Sequence, residues 1–270
     1  MGQFSKKWED LQFSDNFIFC KVMRNKELCK EMLEILLGIK VRDIQYIQSE
    51  HPLDDYYETR GVRMDVFVQE SDKVFNMEMQ TGDYDDLLMR SRYYLSAADI
   101  STTPRRTRFN DLKETYILFI CKDDPFKHEI PLYTEHKTFK ELPLVEIDDK
   151  THKLFYNCSA YARAADEEVS SVLEFIYNLK AKSKFTKKLQ DSVTLAKAEP
   201  MFKDEYMYFA DILEDEVEKA QEIGYNKGAQ KKADEAAVAL LKEGDSIEKV
   251  ARCIGISLEH VKELAAQIEK

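Results

Sequence analysis

The feature that most limits the fold is a pair of apolar runs, GVRMDVFVQ at 61–69 and VFNMEMQ at 74–80, parted by a short polar link. Two runs of Val, Phe and Met so close together read as a β-hairpin. Side chains alternate along a strand, so Met64, Val66 and Val68 share one face while Asp65 and Phe67 take the other. In the second run Phe75, Met77 and Met79 face one way, and Asn76, Glu78 and Gln80 the other. In the simplest hairpin register Asp65 and Glu78 lie near each other, two acids on strongly apolar strands.

The flanking patterns give the hairpin its surroundings. Residues 14–38 carry apolar side chains at helical intervals, with Ser14 or Asp15 as N-cap, Gly38 as the stop, and a break expected near Asn25. VRDIQYIQ (41–48) reads as a first strand and HPLDDYYETRG (51–61) as a loop. Residues 85–100 form an amphipathic helix, and TYILFICK (115–122) is the continuous apolar run of a strand buried on both faces. The order helix, three strands, helix, strand defines a mixed α/β core. Residues 123–165 are irregular and polar with one strand-like piece at KLFYN, and 166–243 are helical throughout. A helix is expected from Pro200 to Gly224, followed by a solvated helix or helical linker to Gly244. The segment DSIEKVARCIGISLEHVKELAAQ then closes the chain as a helix–turn–helix-like hairpin. The expected division is a core at 1–165, a helical extension at 166–224, and linker plus hairpin at 225–270.

Composition excludes several function classes. With 40 Lys plus Arg against 51 Asp plus Glu, the net charge of −11 rules out a bulk electrostatic binder of DNA. Phosphate contact must then use local basic patches or a metal ion. The 5 cysteines are dispersed, without zinc spacing, as free thiols in a reducing compartment would be. No apolar run reaches the roughly 18 residues of a membrane span, and MGQFSKKWEDLQF lacks a secretory apolar region, so the expected location is the cytoplasm, away from membranes. The 8 glycines form no phosphate-binding loop.

Asp65 and Glu78 carry the chemistry. Two carboxylates on adjacent strands offer oxygen ligands to Mg²⁺ (or Mn²⁺), which fills its other positions with water and phosphate oxygens. An ion so held can polarise a phosphodiester and activate water. Gln80, two residues beyond Glu78, shares its face and could orient that water. Spacing leaves a second reading open, in which both acids are ordinary solvent-facing positions of a half-exposed hairpin.

GVRMDVFVQ, VFNMEMQ and the following RSRYYLS resemble the PD-(D/E)XK nuclease and transposase family related to recombination-promoting nucleases. FSDNFIFCKVM, ELCKEMLEILLGIKVRDI and YILFICKDDPF are similar to that family's landmarks in its order, and the tail SIEKVARCIGISLEHVKEL is similar to its tails. The resemblance implies a restriction-endonuclease-like mixed sheet flanked by helices, followed by a helical C-terminal region. It implies a metal-dependent DNA endonuclease of transposase or recombination-promoting type, with Asp65 and Glu78 as metal ligands. It puts Gln80 where the superfamily carries lysine, a departure that this branch of the family shares. A neutral amide lacks the cation that lysine brings to developing phosphorane charge. The alternative is a weakly active or silent nucleic-acid-binding module on the same fold. Asp15 matches an early Asp of the family, although a helix cap explains it as well, and Glu50 is a second acid that could reach the site.

Arg90, Arg92 and Tyr93 on the following helix are candidate phosphate contacts, or a solvated face paired with Asp85, Asp86 or Asp99. Arg105, Arg106 and Arg108 in TPRRTRF, and Lys180, Lys182, Lys184, Lys187 and Lys188, form basic islands suited to a DNA backbone or to plain surface. The last helix offers Glu259, His260, Lys262 and Glu263, a poor recognition surface for DNA. The C-terminal helices are therefore expected to cap the chain or join a homo-oligomer.

Overall fold

The computed structural model describes residues 6–42, 44–53, 62–82 and 84–268. Helix α1 (Asn16–Met23) and α2 (Lys26–Leu37) are parted at Asn25, whose side chain accepts from the Glu27 and Leu28 amides and so restarts the helix. Gly38, at φ 66°, ends α2 in the left-handed region that a Cβ disfavours. Strands β1 (Tyr46–Leu53), β2 (Val62–Gln69) and β3 (Lys73–Gln80) follow, then α3 (Leu87–Thr102) and β4 (Glu114–Cys121). Short β5 (Leu132–Thr134), β6 (Thr138–Phe139) and β7 (Leu142–Glu146) precede β8 (Thr151–Asn157). Helices α4 (Glu167–Asn178), α5 (Lys184–Ala198), α6 (Pro200–Lys242), α7 (Ile247–Ile254) and α8 (Leu258–Ile268) complete the chain.

Six strands make a mixed sheet in the order β1-β2-β3-β4-β8-β5, and β6 pairs with β7 separately. The β1–β2–β3 meander is antiparallel, while β3–β4 and β4–β8 are parallel. Helices flank both faces, as alternation on β8 shows. Phe155 joins Ile117, Phe119, Cys121 and Leu87 beneath α3, while the neighbouring Tyr156 turns the other way and donates its hydroxyl to the Leu36 carbonyl of α2. With neighbours on both edges and helices over both faces, β3 is buried from Val74 to Met79.

Two expectations need correction. The first strand is Tyr46–Leu53 rather than 41–48. Val41 and Ile44 are buried as core contacts of the connecting chain, and Pro52 is tolerated because β1 is an edge strand. Residues 54–61 of the expected loop lie outside the described residues. The region 123–165 holds four strands, not one piece. Helix α6 runs unbroken through Gly224 and Gly228 with 217–232 exposed, so 224–232 is solvated helix, one of the two forms expected there.

The chain divides into compact units ending at Tyr206 and starting at Met207. Helices α4 and α5 belong to the first, as does the start of α6, anchored where buried Lys21 meets Glu205 at 2.6 Å and Tyr206 packs on Trp8 and Phe17. In the second unit Ala237 of α6 packs with Val250 of α7 and with Val261 and Leu264 of α8.

Candidate active site

The β2–β3 ladder runs from Gln69–Val74 to Val66–Met77. At the next position the strands' amides turn to the carboxylates. The Asp65 amide donates to Glu78 Oε1 at 3.1 Å, and the Met79 amide donates to Asp65 Oδ2 at 3.0 Å. Each acid is thereby fixed by the backbone of the opposing strand, and both stand on the α3 face of the sheet. Asn76, wholly buried two residues earlier, donates to the same Glu78 Oε1 at 3.0 Å, while its own Oδ1 has no partner.

This arrangement overturns the solvent-facing reading of Glu78. Glu78 is 2% exposed and Asp65 half-buried, because α3 and the Phe119 side of β4 roof the face on which they stand. Burial, followed by repulsion from Asp65, holds the Glu78 carboxyl well above the usual carboxylate range, against the pull of its hydrogen bonds and Arg90. A buried carboxyl beside a second carboxyl is poised to receive a cation.

Arg90 closes the site from α3. Its Nη1 donates to Gln80 Oε1 at 3.0 Å, and its Nη2 lies 3.9 Å from Glu78 Oε2. Its guanidinium lies over the rings of Phe119 and Tyr94 at 5.3 and 5.6 Å, a stacking that fixes the plane of the fork. Gln80 Nε2 in turn donates to the Gly82 carbonyl. The amide at the lysine position is thus tied to a cation delivered by the next helix.

Asp65, Glu78, Gln80 and Arg90 therefore come together, whereas Arg92 and Tyr93 do not join them. Both are exposed on α3. The side chain that does join is Tyr94, one turn after Arg90, its phenol pushed up to about 12 by burial and by Glu78. The i, i+4 spacing from Arg90 was the available signal for it. Asn76 was the other residue missed; its shared strand face with Glu78 pointed to it. Arg105, Arg106 and Arg108 are exposed in the stretch between α3 and β4, with Arg106 at φ 74°. Asp15 precedes α1, but its side chain caps nothing there; it accepts from the Gln12 amide at 2.8 Å and pairs with Lys6 at 2.5 Å. Glu50 lies in β1 between the pairs Ser49–Val66 and His51–Met64, opposite Asp65, and its side chain is outside the described residues. Of the lysine island, Lys182 pairs with Glu174 and Lys188 with Glu31.

The donor set suits a hard divalent ion. Among the described residues no group of three or more His, Cys, Asp or Glu could hold a metal. The site therefore offers two carboxylates, which is the complement that Mg²⁺ takes when it keeps its waters and gains phosphate oxygens. A cation between Asp65 and Glu78 would relieve the repulsion that raises Glu78.

A mixed sheet with paired acids on an antiparallel turn of strands, followed by a helix carrying an arginine fork, defines a nuclease-like α/β protein. The sequence profile of the PD-(D/E)XK nuclease family transposases matches residues 9–240, and the chain belongs to that family. Comparison with curated proteins and with solved structures gives no match.

Proposed function

We propose that the chain is a divalent-metal-dependent DNA endonuclease of the transposase or recombination-promoting type, hydrolysing phosphodiester bonds. The observation that carries this reading is the cross-braced pair of half-buried Asp65 and buried Glu78, beneath a helix that brings Arg90 to Gln80. Asp65 and Glu78 would hold Mg²⁺ or Mn²⁺, which when bound supplies Lewis acidity and an activated water. Gln80 has a second lone pair on Oε1 with which to orient that water while it steadies Arg90. Arg90 supplies the fixed cation that the amide lacks, and its fork can engage two phosphate oxygens. Arg92 and Tyr93 extend that contact along α3, and Arg105, Arg106 and Arg108 hold the backbone further out. A cytoplasmic location completes the reading. Among the described residues no helix is long and apolar enough to cross a membrane.

One observation favours a second reading, a silent DNA-binding module: both ends of the Gln80 amide are already engaged. Plasmid nicking with Mg²⁺ or Mn²⁺ decides between them. Nicking by the parent chain and none by Asp65→Asn supports the enzyme. Metal-independent nicking, or equal nicking by Asp65→Asn, refutes it; no nicking with intact DNA binding supports the module.

A further inference from the structure

The stretch between α3 and β4 carries the barest aromatic ring among the described residues. Phe109 is 89% exposed and makes no ring contact with them. Arg105, Arg106 and Arg108 stand beside it in sequence, all exposed. Among the described residues none of their guanidinium groups has an ion pair or hydrogen bond. In a chain with 51 Asp plus Glu, cations without an acid stand out; Lys182 and Lys188 of the other basic island are paired. The segment is held in shape. The Thr107 amide and hydroxyl both donate to the Pro104 carbonyl, at 3.2 and 2.8 Å, and Arg106 takes φ 74° within that turn. From the residue before β8, Lys150 Nζ donates to the Asn110 and Leu112 carbonyls at 3.0 and 3.4 Å. A ring presented by a fixed backbone loses little freedom when a ligand covers it.

The make-up of the patch selects the ligand. Unpaired guanidinium groups beside a bare ring fit a polymer in which anionic groups alternate with flat π-faces. DNA is such a polymer: arginine forks onto phosphate oxygens, and an aromatic ring stacks on any base. In a matched duplex each base face is already covered by its neighbours. The ring therefore finds a free face only where the strand is single or a base step is opened. The patch is also separate from the acid pair. Arg90 lies near the start of α3 and the patch follows its end at Thr102, so the helix sets them about 18 Å apart at about 1.5 Å per residue. That is about five nucleotide steps at about 3.4 Å each, within reach of one bound strand.

We propose that Phe109 is a base-stacking residue: with Arg105, Arg106 and Arg108 on the flanking phosphates, its ring takes an unpaired nucleobase. The chain therefore favours single-stranded or locally opened DNA over matched duplex. The proposal rests on the DNA-binding part of the function proposed above, and it uses neither Asp65 nor Glu78.

Fluorescence anisotropy on the full chain tests it, in chelator so that the DNA stays whole. The probes are a labelled single strand, its matched duplex, and that duplex with a central bulge. The parent is expected to bind the single strand and the bulge more tightly than the matched duplex. Phe109→Ala and Phe109→Leu should each weaken single-strand binding by about 5- to 150-fold, the range of one stacked base, with duplex affinity and salt slope unchanged. Phe109→Trp should bind as the parent does, and the single strand should quench its emission. Trp8, the one native tryptophan, is buried and leaves that signal to position 109. Circular dichroism controls for folding. No DNA binding by the parent, undiminished binding by Phe109→Ala or Phe109→Leu, an equal loss on single strand and duplex, or tryptophan emission that DNA leaves unchanged would overturn the proposal. With no metal present, a chain that fails to nick DNA can still pass this test, and one that nicks can still fail it.

Discussion

Glu78→Gln is expected to stabilise the metal-free protein at neutral pH. The substitution keeps Oε1, and with it the bonds from the Asp65 amide and Asn76, but removes a charge from a side chain that is 2% exposed. The attraction lost is that of Arg90 at 3.9 Å, about 4 kcal/mol at an effective dielectric of about 20. The repulsion relieved is that of Asp65, about 3 kcal/mol for charges about 5 Å apart across a strand pair. These nearly cancel. What remains is the burial penalty of the carboxylate, several kcal/mol, less about 2 kcal/mol for two hydrogen bonds that are no longer charge-assisted. The net gain is about 1 kcal/mol, a rise in melting temperature of about 2–4 °C. The sign depends on pH in a defined way. Because burial and Asp65 raise Glu78 above its ordinary 4.5, the folded chain keeps a proton that the unfolded chain releases. Parent stability therefore falls as pH rises from 4.5 through the raised value, and the variant lacks that fall. Calorimetric melts in chelator at several pH values should show the two proteins converging near pH 4.5 and parting above it. With Mg²⁺ at about a hundredfold over its dissociation constant the parent should gain about 2.7 kcal/mol and the variant nothing. A variant that melts below the parent at neutral pH without metal would show that the carboxylate serves the fold.

Other substitutions probe the rest of the surface. Arg90→Gln should lower turnover by about 10²–10³-fold in a nicking assay, and Arg90→Lys should not restore it, because an ammonium cannot fork onto Gln80 and a phosphate together. Changing Arg105, Arg106 and Arg108 to Ala should weaken DNA binding roughly equally across sequences. It should flatten the log–log salt dependence by up to about three, as filter binding across salt concentrations can measure. A chain ended at Gln221 should keep a cooperative melt and its metal response, since the first compact unit ends at Tyr206. Loss of folding on that truncation would show that the later helices complete the core.

The hairpin, α3 and β4 were legible because their apolar residues repeat with the period of the element they form. The break at Asn25 was legible from its capping chemistry. The first strand was placed too early because Val41 and Ile44 are apolar for packing against the core, not for ladder pairing, and β-branched residues look alike in both roles. Strands β6 and β7 left no periodic trace: all five residues of β7 are exposed, and Pro143 lies among them. At the site the spacing of Asp65 and Glu78 was visible, but the burial of Glu78 was not. Its roof comes from Phe119 and from α3, which are brought to β3 by a parallel crossover that no local pattern encodes. Tyr94 was passed over for Tyr93 because adjacent tyrosines look equivalent in sequence, and only the turn of the helix relative to Arg90 separates them.

The place of β3 in the sheet also sets how the protein fails. Its neighbours are β2 on one side and β4 on the other, so freeing Glu78 means parting both ladders at once, and no fraying at the β1 or β5 edge reaches it. In deuterium oxide the amides of β3 belong with the slowest to exchange, those that open only when the whole unit opens. Heat would then remove intact centres one molecule at a time and leave the survivors at full capability. A core substitution far from Asp65 that halves the folded fraction would halve the observed rate without altering the affinity of any folded molecule for its metal.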